Sequence, residues 1–484
     1  MLKVRFLLFS LFVLFNSFTS NAQFDVEISG TFPGANGKTI RLFEYEDMIT
    51  YRKDMIDTYE ISEKEFFEFK LEIFEPQYVF FRIDHANIGF FIEPDKSYTL
   101  EFDSVNFNEL NDRRNPYLEP YHFSFKIANA ADDELNILID SLENVFDKFI
   151  AENFSKIRRV RFNDLMHNFR KSTDSLFSNI DNQYFKNYYD YKFAKYYRLT
   201  NVMTEEDLAR DYFIERKVLY NNVEYMDFFT NYFNNFIFRS SSNVRLEDVE
   251  FTVNELGNYS ALMDSLGRDT ILRNEVLREM VLLISLKNIY SNPDFVQENI
   301  DAVMNQLIEQ SRFEKHRKIA QNILWSNKYL SQGSNAPDFK IESHRGNIYS
   351  LSDFEGKFLY LNFFTSWCIP CMAEFPVLED IHEKYGDFIE IVSISVDRHE
   401  TDYIKFLKSY DYPWKFAHFK GNFEILDDYL VRSYPVFVLI SPDSKIINTN
   451  LNPSIAIQGY FDRLKSIHTK ENGQGKNQLY YDLE

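Results

Sequence analysis

The sequence predicts a multi-domain protein in which an N-terminal β-sandwich, a central all-α region and a C-terminal α/β region follow one another. Three observations support this order. Apolar and polar residues alternate near the N-terminus, apolar residues recur at helical spacing in the middle, and a strand–turn–helix pattern carries both cysteines near the C-terminus. A chain of 484 residues is also long enough for about three domains.

Residues 1–22 have the pattern of a signal peptide that is cleaved after Ala22. Lys3 and Arg5 precede an apolar run from 6 to 15, and small residues stand just before the expected cleavage site. The apolar run has about ten residues, whereas a membrane-spanning helix needs about 20. We therefore expect export to the periplasm, with an uncleaved membrane anchor as the alternative.

Residues 23–105 have the pattern of a β-sandwich domain, to which the sequence assigns no role. Short runs of alternating apolar and polar residues are separated by turn-rich breaks at 34–37 and 93–96. The expected strands lie around 26–28, 39–43, 66–71, 78–83, 88–92 and 98–102.

The period becomes helical from 106 to 330, where we expect an all-α region. Apolar residues recur at helical spacing from Leu135 to Phe149 and again from Leu272 to Ile284. No catalytic constellation is evident in this region. Its isolated histidines, which we interpret as surface or hydrogen-bonded core residues, are His122, His167 and His316.

The two cysteines of the chain, Cys368 and Cys371, predict a redox active site in a domain that spans 333–470. The apolar run 358–364 predicts a buried strand before them, and apolar residues at helical spacing after them predict a helix. Cys368 would then lie at a helix N-terminus, where free backbone N–H groups and the helix dipole stabilise a thiolate. Pro370 fits the first helical turn. Residues 471–484 are a polar tail.

Other uses of the cysteine pair fit the sequence less well. A zinc site needs about four ligands, and the chain has no second cysteine pair. Covalent haem attachment needs a histidine directly after the second cysteine, where Met372 stands. A purely structural disulfide across so short a loop contributes only about 2 kcal/mol. We therefore expect no metal and no other cofactor.

The cysteine motif also resembles that of a known family. Residues 366–376 read Ser-Trp-Cys-Ile-Pro-Cys-Met-Ala-Glu-Phe-Pro, which is similar to the active site of TlpA/ResA-type thiol–disulfide oxidoreductases, the extracytoplasmic relatives of thioredoxin. The resemblance extends over roughly 333–470 and implies a thioredoxin-like α/β fold there. The N-terminal region resembles the β-domain that precedes thioredoxin-like domains in Bacteroidetes envelope proteins.

The resemblance implies a catalytic role for three residues. Cys368 attacks a substrate disulfide, and Cys371, expected to be the less accessible thiol, resolves the mixed disulfide. Glu374 lies on the same helix face as Cys371 and is expected to exchange a proton with it. Asn362 stands where cytoplasmic thioredoxin carries a buried aspartate, so that more of the proton transfer is left to Glu374.

The remaining site residues have expected roles in substrate binding or in structure. The segment 431–436 matches the cis-proline loop of the family, which makes the bond before its proline a candidate for the cis form. Pro376 lies inside the expected helix and should kink it. The substrate-binding residues are expected to be Trp367, Tyr434 and Pro435, and the structural ones Pro370 and Pro376.

The family resemblance implies a periplasmic enzyme that reduces the disulfides of envelope proteins. The expected partners are disulfide-bearing envelope proteins, including apocytochrome c, and a membrane electron donor of the thiol-transporting type. Nucleic acid is not an expected partner, because the chain carries a formal net charge of −21.

Two other functions remain open from the sequence. One is a thioredoxin-fold thiol peroxidase, since Thr365 and Cys368 fit the end of a peroxiredoxin motif, although Leu361 replaces its proline. The other is a non-enzymatic envelope binding protein in which the cysteine pair is a redox switch.

Overall fold

The computed structural model describes residues 24–84, 86–107, 121, 123–153, 162–238, 244–449, 451–454 and 458–471. It confirms a multi-domain chain with β-rich, helical and thioredoxin-like α/β regions in that order. The predicted signal peptide, His122 and residues 472–484 of the predicted tail lie outside the described residues.

Two sheets of mostly antiparallel strands pack face to face in the N-terminal region. The first has the strand order β4-β1-β7-β8 and the second β3-β2-β5-β6. Their inner faces share one core, and β4 shows why: its side chains alternate strictly between exposed and buried. The strands are β1 (Phe24–Thr31), β2 (Thr39–Tyr45), β3 (Lys53–Glu60), β4 (Phe66–Ile73), β5 (Gln77–Ile83), β6 (Ala86–Ile92), β7 (Ser97–Phe102) and β8 (Phe125–Ile127).

Two of these strands differ from the sequence-based expectation. The strand β3 was not predicted, because it is an edge strand whose side chains are exposed or half-exposed throughout and therefore show no apolar alternation. The strand β8 pairs with β7 although it lies within 106–330, the expected helical region. The first sheet thus extends past the expected boundary at residue 105.

The central region is helical, and asparagine caps many of its helices. The side chains of Asn182, Asn222, Asn258 and Asn274 each accept a hydrogen bond from the backbone of the first helical turn. The helices are α1 (Leu135–Asn153), α2 (Phe162–Leu176), α3 (Gln183–Leu199), α4 (Glu205–Tyr212), α5 (Val223–Phe233), α6 (Leu246–Phe251), α7 (Tyr259–Leu266), α8 (Glu275–Ile289), α9 (Gln297–Gln310) and α10 (Glu314–Lys328).

The C-terminal region is built around one sheet with the strand order β10-β9-β13-β12-β11-β14-β15. Its central strand β11 is buried at every position, as expected for an apolar run in which Asn362 is the one polar residue. The elements are β9 (Lys340–Glu342), β10 (Ile348–Ser350), β11 (Phe358–Phe364), α11 (Ile369–Tyr385), β12 (Ile389–Ser395), α12 (Glu400–Ser409), β13 (Lys415–His418), α13 (Phe423–Asp428), β14 (Val436–Ile440), β15 (Ile446–Asn448) and α14 (Gln458–Glu471).

Among the helices that the structure describes, none combines the length and the apolar character that a membrane crossing needs. The same part of the chain contains no group of three His, Cys, Asp or Glu side chains arranged to hold a metal ion.

Candidate active site

The cysteine pair lies between β11 and α11, as the sequence predicts. The strand ends at Phe364, and Cys368 is the N-cap residue of the helix with an extended backbone. Its Sγ accepts a hydrogen bond from the backbone N–H of Cys371 at 3.1 Å. Pro370 lies in the first turn of α11, where its missing N–H leaves no hydrogen bond unmade.

Cys368 and Cys371 form a disulfide with a Cα–Cα distance of 5.2 Å. Both cysteines are buried, with 2% and 1% of their surface exposed, whereas Ile369 between them is 82% exposed. The expectation that Cys371 is the less accessible thiol concerns the reduced protein. In this oxidised form the disulfide pair belongs to the surrounding core, and Cys371 is the slightly more buried of the two.

The predicted substrate-binding residues lie together beside this disulfide. The Tyr434–Pro435 peptide bond is cis, which confirms that prediction. The strand β14 begins directly after Pro435 and pairs with β11 antiparallel, with Val436 opposite Phe363. This register brings Pro435 to the end of β11 from which the cysteine loop leaves. The rings of Trp367 and Tyr434 meet edge to face with centroids 6.4 Å apart.

Glu374 is buried one helical turn after Cys371, and its carboxylate points to a residue that the sequence did not single out. Ser454 donates from its backbone N–H to Oε2 at 2.9 Å and from its hydroxyl to Oε1 at 2.7 Å. No Lys, Arg or His of the described ranges lies within ion-pair distance of Glu374. Since the contact joins residues 80 positions apart, no local sequence signal predicts it.

A second buried carboxylate, Asp397, supports the loop that carries the cysteines. Both of its oxygens accept from the backbone N–H of Ser366 at 3.0 Å, and one accepts from the Ser366 hydroxyl at 2.8 Å. Burial raises the pKa of Asp397 above its usual value. A sequence signal existed here, because Asp397 follows a predicted buried strand at the sheet edge where the cysteine loop begins.

Two further expectations concern residues inside the fold. Asn362 is buried in β11 and donates to the Ser393 hydroxyl at 3.3 Å, so that an amide occupies this position rather than a carboxylate. The helix α11 continues through Pro376 to Tyr385. The structure thus brings six of the predicted site residues to one end of the sheet and places Glu374 and Pro376 further along α11. The six are Trp367, Cys368, Pro370, Cys371, Tyr434 and Pro435.

Comparisons with known proteins agree with this geometry. A sequence model described as thioredoxin-like matches residues 356–446, and one for a domain of unknown function, DUF4369, matches residues 26–135. Thiol-disulfide oxidoreductase ResA of Oceanobacillus iheyensis is 35% identical over 133 residues, which are 26% of this chain and 69% of that protein. The ResA protein of Bacillus subtilis is 32% identical over 143 residues, or 29% of this chain and 79% of that protein.

Solved structures are similar to a part of the chain. The thioredoxin domain of a thiol-disulfide oxidoreductase from Bacteroides vulgatus has 25% sequence identity and covers 28% of this chain and 97% of that chain, with a TM-score of 0.26.

Proposed function

The chain belongs to the ResA-type family of thiol–disulfide oxidoreductases, and from that membership we propose that it is a periplasmic reductant of disulfides in envelope proteins. The observation that carries the proposal is the Cys368–Cys371 disulfide at the N-terminus of α11, beside the cis bond before Pro435. A redox-active pair in this position can pass two electrons to a substrate disulfide.

In the proposed reaction the reduced protein starts with two thiols. The Cys368 thiolate attacks one sulfur of the substrate disulfide, forms a mixed disulfide with it and releases the other substrate sulfur as a thiolate. Cys371 then loses its proton and attacks Cys368 Sγ, which forms the internal disulfide and releases the second substrate thiol. The substrate gains two electrons and two protons, and the protein becomes oxidised.

Two features of the helix support these roles. The N-terminus of α11 stabilises negative charge on Cys368, which favours this residue as the attacking thiolate. The carboxylate of Glu374 lies one turn after Cys371 and is buried with it, so we assign it as the acceptor of the Cys371 proton. Trp367, Tyr434 and Pro435 are assigned to contact the substrate backbone and side chains next to its disulfide.

The proposed location and partners rest on the sequence. The signal-peptide pattern of residues 1–22 supports export, and the absence of cysteines other than the active pair suits an enzyme that must not exchange disulfides within itself. The oxidised enzyme needs a reductant, for which we propose a dithiol-carrying membrane protein. Apocytochrome c, whose haem-attachment cysteines must be reduced, is one proposed substrate.

The decisive experiment is capture of substrates by a Cys371→Ala variant. Without the resolving thiol, the mixed disulfide on Cys368 should persist and be recovered from envelope extracts as adducts that dithiothreitol releases. A Cys368→Ala variant is the matched control and should recover none of them. Equal capture by both variants would contradict the assignment of Cys368 as the attacking thiol.

The direction of electron flow is tested by the redox potential of the pair. A reductant should have a potential well below that of the strong periplasmic oxidants, whose potentials are about −120 mV. Equilibration with glutathione buffers and quantification of free thiols would measure it. A value above roughly −150 mV would contradict the reductase assignment and make the protein an oxidant or isomerase.

A further inference from the structure

A cavity of about 720 Å³ lies where the three regions of the protein meet. Its walls come from β2, β3 and β5 of the β-sandwich, from the end of α10, and from α13 with the segment that follows it. Exposed apolar side chains are common when they stand singly, but several in one concave site are typical of ligand binding. Four of the exposed large apolar side chains line this cavity, namely Tyr51, Met55, Trp325 and Leu430.

The charge of the cavity is opposite to that of the chain. Seven Lys and Arg side chains and four carboxylates line it, which gives a formal charge of +3, whereas the whole chain has −21. On one wall Arg82 and Arg432 both pair with Asp427, and Asp428 lies close enough to Arg82 to act on its charge, so these four formal charges balance. Arg41 pairs with Glu424 at 3.1 Å on the same side.

Lys53 adds a further positive charge to this wall. No carboxylate among the described residues lies within ion-pair distance of its ammonium group. Lys53 as a whole is exposed, but partial withdrawal of its ammonium from solvent between the cavity walls, together with the charges of Arg82 and Arg432, lowers its pKa to about 8. An anionic group placed among these three side chains would be attracted by all of them.

The wall formed by α10 presents a flat apolar surface instead. The guanidinium of Arg52 lies over the Trp325 ring at 4.3 Å from its centroid and donates to the Asn322 amide oxygen at 3.0 Å. This contact and the Tyr329 ring, whose centroid lies 4.4 Å from that of Trp325, fix the orientation of the indole, and both aromatic side chains line the cavity. The cavity therefore has a cationic wall and an aromatic wall.

We propose that this cavity binds a small organic anion with an aromatic or other flat apolar body. Its anionic group would lie among Lys53, Arg82 and Arg432, and its apolar body would pack against Trp325. The volume is within the range of about 300–1,000 Å³ that is usual for small-molecule sites. Since the walls come from all three regions, the site gives the β-sandwich a ligand-binding role that the cysteine pair does not provide.

The test uses the full-length mature protein and two dyes that share an aromatic body. Anilinonaphthalene sulfonate carries a negative charge, and phenylnaphthylamine lacks the sulfonate group. Fluorescence titrations should show saturable binding of the sulfonate dye to one site, with an affinity roughly tenfold higher than that of the neutral dye. Equal affinities, or no saturable binding of the sulfonate dye, would overturn the proposal.

Variants locate the binding within the cavity. Lys53→Met should weaken binding of the sulfonate dye roughly tenfold and leave the neutral dye unaffected. Lys64→Met, which removes the same charge from an exposed turn of the β-sandwich outside the cavity, is the control and should bind both dyes as the wild type does. Trp325→Ala should weaken both dyes, with circular dichroism to verify that each variant is folded.

The pH dependence of the affinity for the sulfonate dye tests independently how Lys53 contributes to binding. Its ammonium is charged below a pH of about 8 and loses its proton above it, so affinity for the sulfonate dye should fall as the pH rises through this range. The Lys53→Met variant should lose this pH dependence. A wild-type affinity that stays constant across this range, or an unchanged pH profile in Lys53→Met, would overturn the assignment of Lys53 to the anion site.

Discussion

Two buried glutamates, one in the helical region and one in the thioredoxin-like region, have different surroundings. Glu279 on α8 accepts from the Tyr259 hydroxyl at 2.8 Å and the Ser311 hydroxyl at 2.5 Å, and its Oε1 lies 2.9 Å from Nδ1 of His316. In the described part of the chain, the hydrogen bonds to the Glu374 carboxylate come from Ser454. Both side chains are buried, but the first is surrounded by side-chain partners from three elements.

Burial is common to both carboxylates, so what separates the proposed catalytic one from the other is the set of hydrogen-bond partners. Burial by itself would raise the pKa of Glu279, but the hydrogen bonds from His316, Ser311 and Tyr259 together lower it. Such a carboxylate stays charged and holds its neighbours in place, which is a structural role. Glu374 has fewer partners and lies one helical turn after Cys371, which is why we propose this carboxylate, and not Glu279, as the proton acceptor.

The largest expected effect is the loss of stability in a Glu279→Ala variant. The substitution leaves Tyr259, Ser311 and His316 buried without their acceptor, and we expect the free energy of unfolding to fall by about 3–5 kcal/mol. The rate at which the folded protein exchanges disulfides should stay unchanged, because α8 is not part of the cysteine site. Urea unfolding and a model-disulfide reduction assay would measure the two quantities.

A matched control and the pH dependence test the same prediction. Glu275 lies on the same helix and pairs with Arg312 at the surface, so Glu275→Ala should cost less than about 1 kcal/mol. Because the pKa of Glu279 is lowered by folding, its contribution to stability is present above its usual pKa of 4.5 and is lost as the pH falls through the folded-state value. The stability difference between wild type and Glu279→Gln should therefore shrink below pH 4.5. A difference that grows there would contradict the structural role.

The sequence predicts those elements whose burial or turn geometry is indicated by their own residues. Apolar residues in six of the seven positions of 358–364 predict a strand buried on both faces, and β11 has these bounds. The motif of Cys368 and Cys371 predicted the helix start, and the loop match predicted the cis bond before Pro435. These are local signals, since burial and turn chemistry can be read from neighbouring residues.

The polar partners of the buried carboxylates could not be predicted, because they depend on how distant elements pack. His316, expected to be a surface or hydrogen-bonded core residue, is a hydrogen-bonded core residue, but its partners Glu279 and Tyr220 are 37 and 96 residues away in the chain and could not be named from the sequence. The contact between Ser454 and Glu374 has the same origin. The strand β3 was missed for the opposite reason, because an edge strand with exposed side chains has no apolar pattern.

The second prediction concerns Glu374, the other carboxylate of the comparison. A Glu374→Gln variant should fold normally, with the free energy of unfolding changed by less than about 1.5 kcal/mol. Its disulfide-exchange rate at neutral pH should fall by about a hundredfold, because the amide cannot accept the Cys371 proton. Rapid-mixing measurements of model-disulfide reduction, from about pH 6 to 8, would determine the rate.

The control for this variant is Glu383→Gln, which changes an exposed glutamate on the same helix. It should leave both the rate and the stability as they are in the wild type. If Glu374→Gln reduces disulfides as fast as the Glu383→Gln control at every pH, Glu374 has a structural role like that of Glu279, and the distinction between the two carboxylates fails.

The smallest effect is expected for Ser454→Ala, which removes the hydroxyl bond to Glu374 and leaves the backbone N–H bond in place. We expect the disulfide-exchange rate to fall about threefold to tenfold, because the carboxylate loses one of the two hydrogen bonds from Ser454 that hold it in place. Ser454→Thr retains the hydroxyl and should restore the wild-type rate. In a Glu374→Gln background, Ser454→Ala should slow the reaction no further, since residues that act through one contact are not additive. An additional loss in that double variant would mean that Ser454 acts on the cysteines by a route other than Glu374.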